Sequence, residues 1–219
     1  MENLRPQIEK GVEILRQGGV IAFPTDTVYG LGADAFNPAA VEKIYDIKGR
    51  ARDRQLPLLI ADAETLATLA SPMPRLAWFL ARRFWPGGLT LVLHKADSLP
   101  AHLAHGPTIA VRVPNHHVPL ALIERLKGPI TGTSANASGQ PAVLTADQVR
   151  RQLGGRIDLI VDGGRCRGGT ESTVVDLSGG SPAVLRQGII PAHEIEKSYR
   201  EYLELDGPRG VLPRRAGPL

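Results

Sequence analysis

The chain has one cysteine in 219 residues, Cys166, and few aromatics: four Phe, four Tyr and two Trp. A lone thiol excludes an internal disulfide and any thiolate-rich metal site. Long apolar runs are missing too. None approaches the ~20 residues a membrane-spanning helix needs, and the opening residues, Met1 to Arg5, lead into mixed charge rather than an apolar signal core. A cytoplasmic protein with no membrane partner is the expectation. Charge of one sign is scarce as well, since 26 Lys and Arg against 22 Asp and Glu leave +4. That surplus suits an anionic ligand but is too small to imply nucleic acid by itself.

Several common site motifs are also missing. The nearest stretch to a Walker loop, residues 163–170, has Gly169 where lysine is required. Gly30-Leu31-Gly32 lacks the third glycine of a dinucleotide fingerprint. The six histidines, His94, His102, His105, His116, His117 and His193, show no His-Glu-x-x-His spacing, and no metal ligand set is expected. Neighbouring His116 and His117 are expected to point apart on a helix. No Gly-x-Ser-x-Gly elbow exists, and Cys166, between Arg165 and Arg167, has no identifiable base and reads as an incidental thiol.

What is present is an alternation of helical and strand patterns. Ile8, Val12 and Leu15 give a helical stripe, and residues 20–23 read as a short buried strand. Asn37-Pro38 is a cap followed by proline at the first helical position, opening a helix that runs to Lys48. Strands are expected over 56–61, 89–93, 108–113 and 129–131, with helices over 66–69, 76–84 and 118–126. Thr145 and Gln148 form a capping box that starts a helix to about Leu153. Three short strands follow near 159–161, 172–177 and 183–186 without intervening helices, which predicts a mixed sheet in an α/β fold. A helix over about 192–203 precedes a Pro-, Gly- and Arg-rich tail, expected to be flexible from Asp206 onward. The expected division is residues 1–190 as the catalytic domain and 191–219 as an appended helix and tail.

Two separated stretches carry the chemistry. Lys48-Gly49-Arg50-Ala51-Arg52-Asp53-Arg54 offers fixed positive charge to a polyanion, and residues 131–139, containing Ser134, Asn136 and Ser138, offer hydroxyls, an amide and close backbone N–H groups. Together they can grip a nucleotide triphosphate.

Taken in order, the segments 23–32, 48–58, 85–90, 112–114, 133–139, 171–176 and 185–188 resemble the YrdC-like L-threonylcarbamoyladenylate synthase family, with Lys48-x-Arg50 and Ser134-x-Asn136 at that family's paired signature. The resemblance spans roughly 18–188. Ala51 and Gly88 stand where the family commonly has proline, changes that loosen a loop without removing a functional group. With only about thirty residues beyond the resemblance, the short, single-domain form is expected.

The resemblance implies a twisted open mixed β-sheet flanked by helices, with a concave basic site of the YrdC/RibB-like kind. It implies a nucleotidyltransferase that joins L-threonine, bicarbonate and ATP into threonylcarbamoyl-AMP and releases pyrophosphate. Mg²⁺ would come with ATP, held by the phosphates, and a tRNA threonylcarbamoyl-transferase complex would receive the product. Lys48, Arg50, Ser134 and Asn136 are the implied catalytic set, and Arg52 and Arg186 join them around ATP. Arg112 is implied as the partner of the threonine carboxylate, with Thr25 and Ser172 as further threonine contacts and Thr27 and Thr108 as weaker ones. The alternative is a non-catalytic paralogue that uses the basic face to bind double-stranded RNA or the ribosome. Weak RNA binding is compatible with either.

Overall fold

The computed structural model describes residues 4–104 and 106–205. The chain opens with α1 (Arg5–Arg16), β1 (Ile21–Phe23), β2 (Gly30–Gly32), α2 (Pro38–Lys48) and β3 (Leu58–Leu59). Next come α3 (Leu66–Leu69), α4 (Arg75–Phe84), β4 (Leu89–His94), β5 (Thr108–Arg112) and α5 (His117–Leu126). Then follow β6 (Ile130–Thr131), β7 (Thr133–Ser134), α6 (Ala146–Leu153), β8 (Leu159–Ile160), β9 (Thr173–Asp176), β10 (Ala183–Arg186) and α7 (Ala192–Leu205).

The strands are mixed, as expected, but they divide between two open sheets, ordered β7-β2-β1-β8 and β10-β9-β4-β5-β3-β6. In the first, β1 runs antiparallel to β2 and parallel to β8. In the second, β4 is antiparallel to β5 and parallel to β9. The sheets meet where the chain passes from β6 into β7 through Gly132. A Cβ at Gly132 would stand 2.4 Å from the Leu59 side chain, so only glycine lets the chain change sheets this close to β3.

The four-stranded sheet is covered on both faces. Ala22 packs with Ile44 of α2 and Val149 of α6, while its neighbours Ile21 and Phe23 face Leu15 of α1 and Leu122 of α5. That is why β1 is apolar throughout. The six-stranded sheet is covered on one face along β4, β5 and β9, while at its other end Leu59 and Ile130 also pack under α5. Leu89, Leu91 and Leu93 alternate into a core with Leu80 of α4 and with Ile195 and Tyr199 of α7, and the intervening Thr90 and Val92 turn toward an open cavity. This period of two decides where a ligand can enter.

The helix boundaries follow their local chemistry. Asn37 caps α2 by accepting from the Ala40 N–H at 3.2 Å, and the Thr145–Gln148 capping box is formed in both directions. β2 and β7 lie in stretches the sequence presents as loop. The notion that His116 and His117 diverge on a helix fails: His116 is the N-cap of α5, in extended backbone, and the two rings stack at 4.7 Å. The tail from Asp206 lies outside the described residues. Among those residues, no helix is long and apolar enough to cross a membrane.

Candidate functional site

The uncovered face of the six-stranded sheet forms a cavity of about 560 Å³. Its floor includes Val92, Ala110 and Val174, and its rim carries Lys48, Arg50, Arg54 and Arg186. A second cavity, only about 40 Å³, is lined by Thr25, Thr27 and Arg112 among others. Gly132, Thr133, Ser134, Glu171, Ser172 and Arg186 line both. The two cavities thus lie on either side of that strip.

Lys48 arrives at the cavity because α2 ends there. Gly49 takes φ 59° and reverses the chain, a left-handed conformation that costs glycine little. The Lys48 ammonium is buried and donates to the Ser134 carbonyl and, at 2.6 Å, to the Asn136 carbonyl. In return the Ser138 N–H donates to the Lys48 carbonyl at 3.0 Å. The two sequence stretches are thus tied directly together. An ammonium has three donors, so one remains for a ligand. Burial, then the nearby Arg50 charge, pull the Lys48 pKa down from 10.5 to about 8, with Glu171 opposing them.

Arg50 donates to the Arg54 and Gln55 carbonyls, both at 3.0 Å, and so shapes its own loop while lining the cavity. Arg52 is placed differently. It bonds Glu42 at 2.9 Å and Asp46 at 2.7 Å on the exposed side of α2, and lines neither cavity. Arg54, the last cation of the 48–54 stretch and not among the residues implied around ATP, lines the larger cavity.

Asn136 uses both amide hydrogens on the Ala137 and Gln140 carbonyls. The opposite amide orientation would set oxygen against two carbonyls, so the assignment is physically determined. Its Oδ1 is buried without a hydrogen-bond partner among the described residues. The expected amide donor is therefore spent on the loop, and its oxygen is enclosed by protein.

On the small-cavity side, Arg112 is buried and fully oriented. Nε donates to the Gly87 carbonyl at 2.8 Å, Nη1 to Thr27 Oγ1 at 3.0 Å and Nη2 to Asp26 Oδ1 at 2.7 Å. Burial lowers its pKa, and Asp26 opposes that shift. Two of its five donors remain. Thr25 Oγ1 donates to the Val28 carbonyl and accepts from the Thr27 and Val28 N–H groups, closing a turn that presents Thr27. Ser172 Oγ lies 2.8 Å from Thr90 Oγ1 and accepts from Arg186. Thr108 opens β5 opposite His94, its carbonyl accepting from the Gln55 amide, and it lines neither cavity.

Two other groups drop out. Cys166 is buried and its thiol pKa is raised, chiefly by that burial. His116 is pulled down to about 4 by burial and then by His117. A wider recess of about 860 Å³ lies between α4 and α7, away from both signature stretches, and is lined largely by Trp78, Phe79, Tyr202 and arginines. It holds no paired nucleophile and base.

The family designated Sua5_yciO_yrdC, described as "Telomere recombination", matches residues 13–188. The chain belongs to this family. It is 46% identical over 205 residues to the threonylcarbamoyl-AMP synthase of Pyrococcus abyssi, covering 91% of this chain and 60% of that protein. The threonylcarbamoyl-AMP synthase of Bacillus subtilis is 47% identical over 193 residues, covering 87% of this chain and 56% of that protein. The chain thus spans little more than half the length of these curated relatives. Its backbone is similar to that of P. abyssi Sua5 complexed with L-threonine, with a TM-score of 0.84 and 46% identity over 87% of this chain and 56% of that one.

Proposed function

We propose that this chain is an L-threonylcarbamoyladenylate synthase, a nucleotidyltransferase that forms threonylcarbamoyl-AMP and pyrophosphate from L-threonine, bicarbonate and ATP. The observation that carries the reading is the strip from Gly132 to Ser134 with Glu171, Ser172 and Arg186, which joins a cation-rimmed cavity to a smaller one floored by Arg112. Such an arrangement suits a triphosphate beside a small zwitterion. The relatives' name and the threonine complex of P. abyssi Sua5 support the same assignment.

In this reading Lys48, Arg50, Arg54 and Arg186 take the phosphates, and the apolar floor of Val92, Ala110 and Val174 seats the base. The remaining donors of Arg112 take the threonine carboxylate, with Thr27 and Ser172 beside it. Asn136 shapes the Ser134 loop by holding the Ala137 and Gln140 carbonyls. The threonine ammonium first gives up a proton to solvent, and the neutral amine attacks the bicarbonate carbon, forming the N–C bond of the carbamate as the C–O bond to the departing water breaks. A carbamate oxygen then attacks the α-phosphorus, the bond to the β-phosphate oxygen breaks, and pyrophosphate leaves. Little covalent work falls to the protein, so positioning and fixed cations supply the catalysis.

Mg²⁺ would travel with the triphosphate. Among the described residues no group of three or more His, Cys, Asp or Glu is placed to hold a metal, and Glu171 is the one carboxylate lining either cavity. The labile product would pass to a tRNA threonylcarbamoyl-transferase complex in the cytoplasm. The test is mass-spectrometric detection of threonylcarbamoyl-AMP in a reaction containing ATP, bicarbonate and threonine. Its formation supports the assignment, and AMP without the threonylcarbamoyl adduct contradicts it.

A further inference from the structure

Glu171 is an acid set among cations. Its Oε2 pairs with Arg186 Nη1 at 2.7 Å, and its charge also acts on Lys48 and Arg50, opposing the fall of both their pKa values. It lines both cavities, on the strip where they join. If four cations grip a triphosphate here, a carboxylate in their midst should weaken that grip, and its presence calls for a purpose.

The geometry of Arg186 supplies one. Its Nε and Nη2 donate to the Ser172 carbonyl at 3.1 and 3.0 Å, and Nη2 also donates to Ser172 Oγ at 3.2 Å. Those bonds fix the guanidinium independently of Glu171, which takes only Nη1. A phosphate oxygen can therefore replace the carboxylate without moving the arginine. The backbone of Glu171 is pinned in turn, because its carbonyl accepts from the Ile189 N–H at 2.9 Å. Displacement is confined to a side chain that is 34% exposed and free to turn.

Given the ATP and threonine reading above, we infer that Glu171 is a transferable counter-ion that couples the two substrates. It pairs with Arg186 until a triphosphate takes that arginine, and the released carboxylate then receives the α-ammonium of the amino acid. With Arg112 on the carboxylate and Glu171 on the ammonium, both ends of the zwitterion are held, and its nitrogen lies at the junction with the nucleotide cavity. The nucleotide improves amino-acid binding, and by linkage the amino acid improves nucleotide binding by the same factor.

The expected signature is a pair of effects of opposite sign in Glu171→Gln, which keeps the shape and removes the charge. An ion pair this exposed is a weak competitor, so its loss should tighten nucleotide binding by about two- to fivefold. Loss of the ammonium partner should weaken threonine by about tenfold, and the coupling factor should fall toward 1. The measurement is calorimetric titration of wild type and variant with the non-hydrolysable α,β-methylene analogue of ATP plus Mg²⁺. It is done with and without threonine, and then with the order of addition reversed. Tighter nucleotide, weaker threonine and lost coupling support the inference. Parallel weakening of both ligands, or unchanged coupling, overturns it while leaving the proposed function intact. A wild-type chain that binds neither ligand overturns both.

Discussion

Residue by residue, Lys48 bears the most physical weight. It ties α2 to the Ser134 loop through two carbonyls and keeps one donor for the cavity. We expect Lys48→Ala to reduce ATP-dependent pyrophosphate release by at least about a hundredfold, the scale for losing a preorganised charged donor. Circular dichroism should still report the folded chain. Wild-type turnover would rule out the role.

The pKa near 8 gives a second expectation with a definite sign. Below pH 8 the lysine is charged in folded and unfolded chains alike, and burying that charge is a constant cost. Between pH 8 and 10.5 the unfolded chain still holds a proton the folded chain has released, so stability rises through this window and then levels off. The rise is at most about 3 kcal/mol, and it should be missing from urea titrations of Lys48→Met. Triphosphate affinity should move the opposite way, falling above pH 8 as the ammonium is lost.

Arg112→Ala should raise the threonine requirement far more than the ATP requirement in steady-state kinetics. Equal effects on the two KM values would count against the carboxylate role. The sequence displayed Lys48, Arg50, Ser134 and Asn136 because cations, hydroxyls and amides in Gly-rich stretches announce themselves. It gave no sign of the Arg52 pairing, because Glu42 and Asp46 lie one helical turn apart on the exposed side of α2 and read as an ordinary solvated face. Glu171 gives no such signal, because a polyanion grip is marked in sequence by positive charge.

Among the elements, the helices and most strands were legible, the two-residue β3, β6 and β8 included, but β2 and β7 were not. The α2 cap and the α6 capping box depend on a few neighbouring residues, so local sequence suffices. β2 and β7 have three and two residues. They exist because the strand beside them offers a ladder, which no local pattern reveals. His116 shows the converse: it reads as a helical residue but serves as the cap, its Nδ1 accepting from the Val118 N–H at 3.2 Å. Gly132 is the element-scale test. Gly132→Ala forces the chain off Leu59 and moves Ser134, and it should cost about 1–3 kcal/mol by chemical denaturation. Nucleotide binding should weaken with it.

For the whole molecule, the site follows from how two sheets are covered. One has helices on both faces and buries its central strands β1 and β2 completely. The other leaves one face of β4, β5 and β9 uncovered, and that face becomes the cavity floor. The seam between them brings the Lys48 loop, the Ser134 loop and the Glu171–Arg186 pair together from positions spread over 138 residues of chain, 48 to 186. The α/β class and the mixed pairing were readable from the order of elements. The division into two sheets was not, because it turns on a change of partner at a single glycine.

The most direct measurement is pyrophosphate release with ATP, bicarbonate and each of the twenty amino acids in separate reactions. Release that requires threonine and bicarbonate, with other amino acids near background, is the expected result. Release that is equal across amino acids, or absent with threonine, would contradict the assignment of this cavity pair to threonine and ATP.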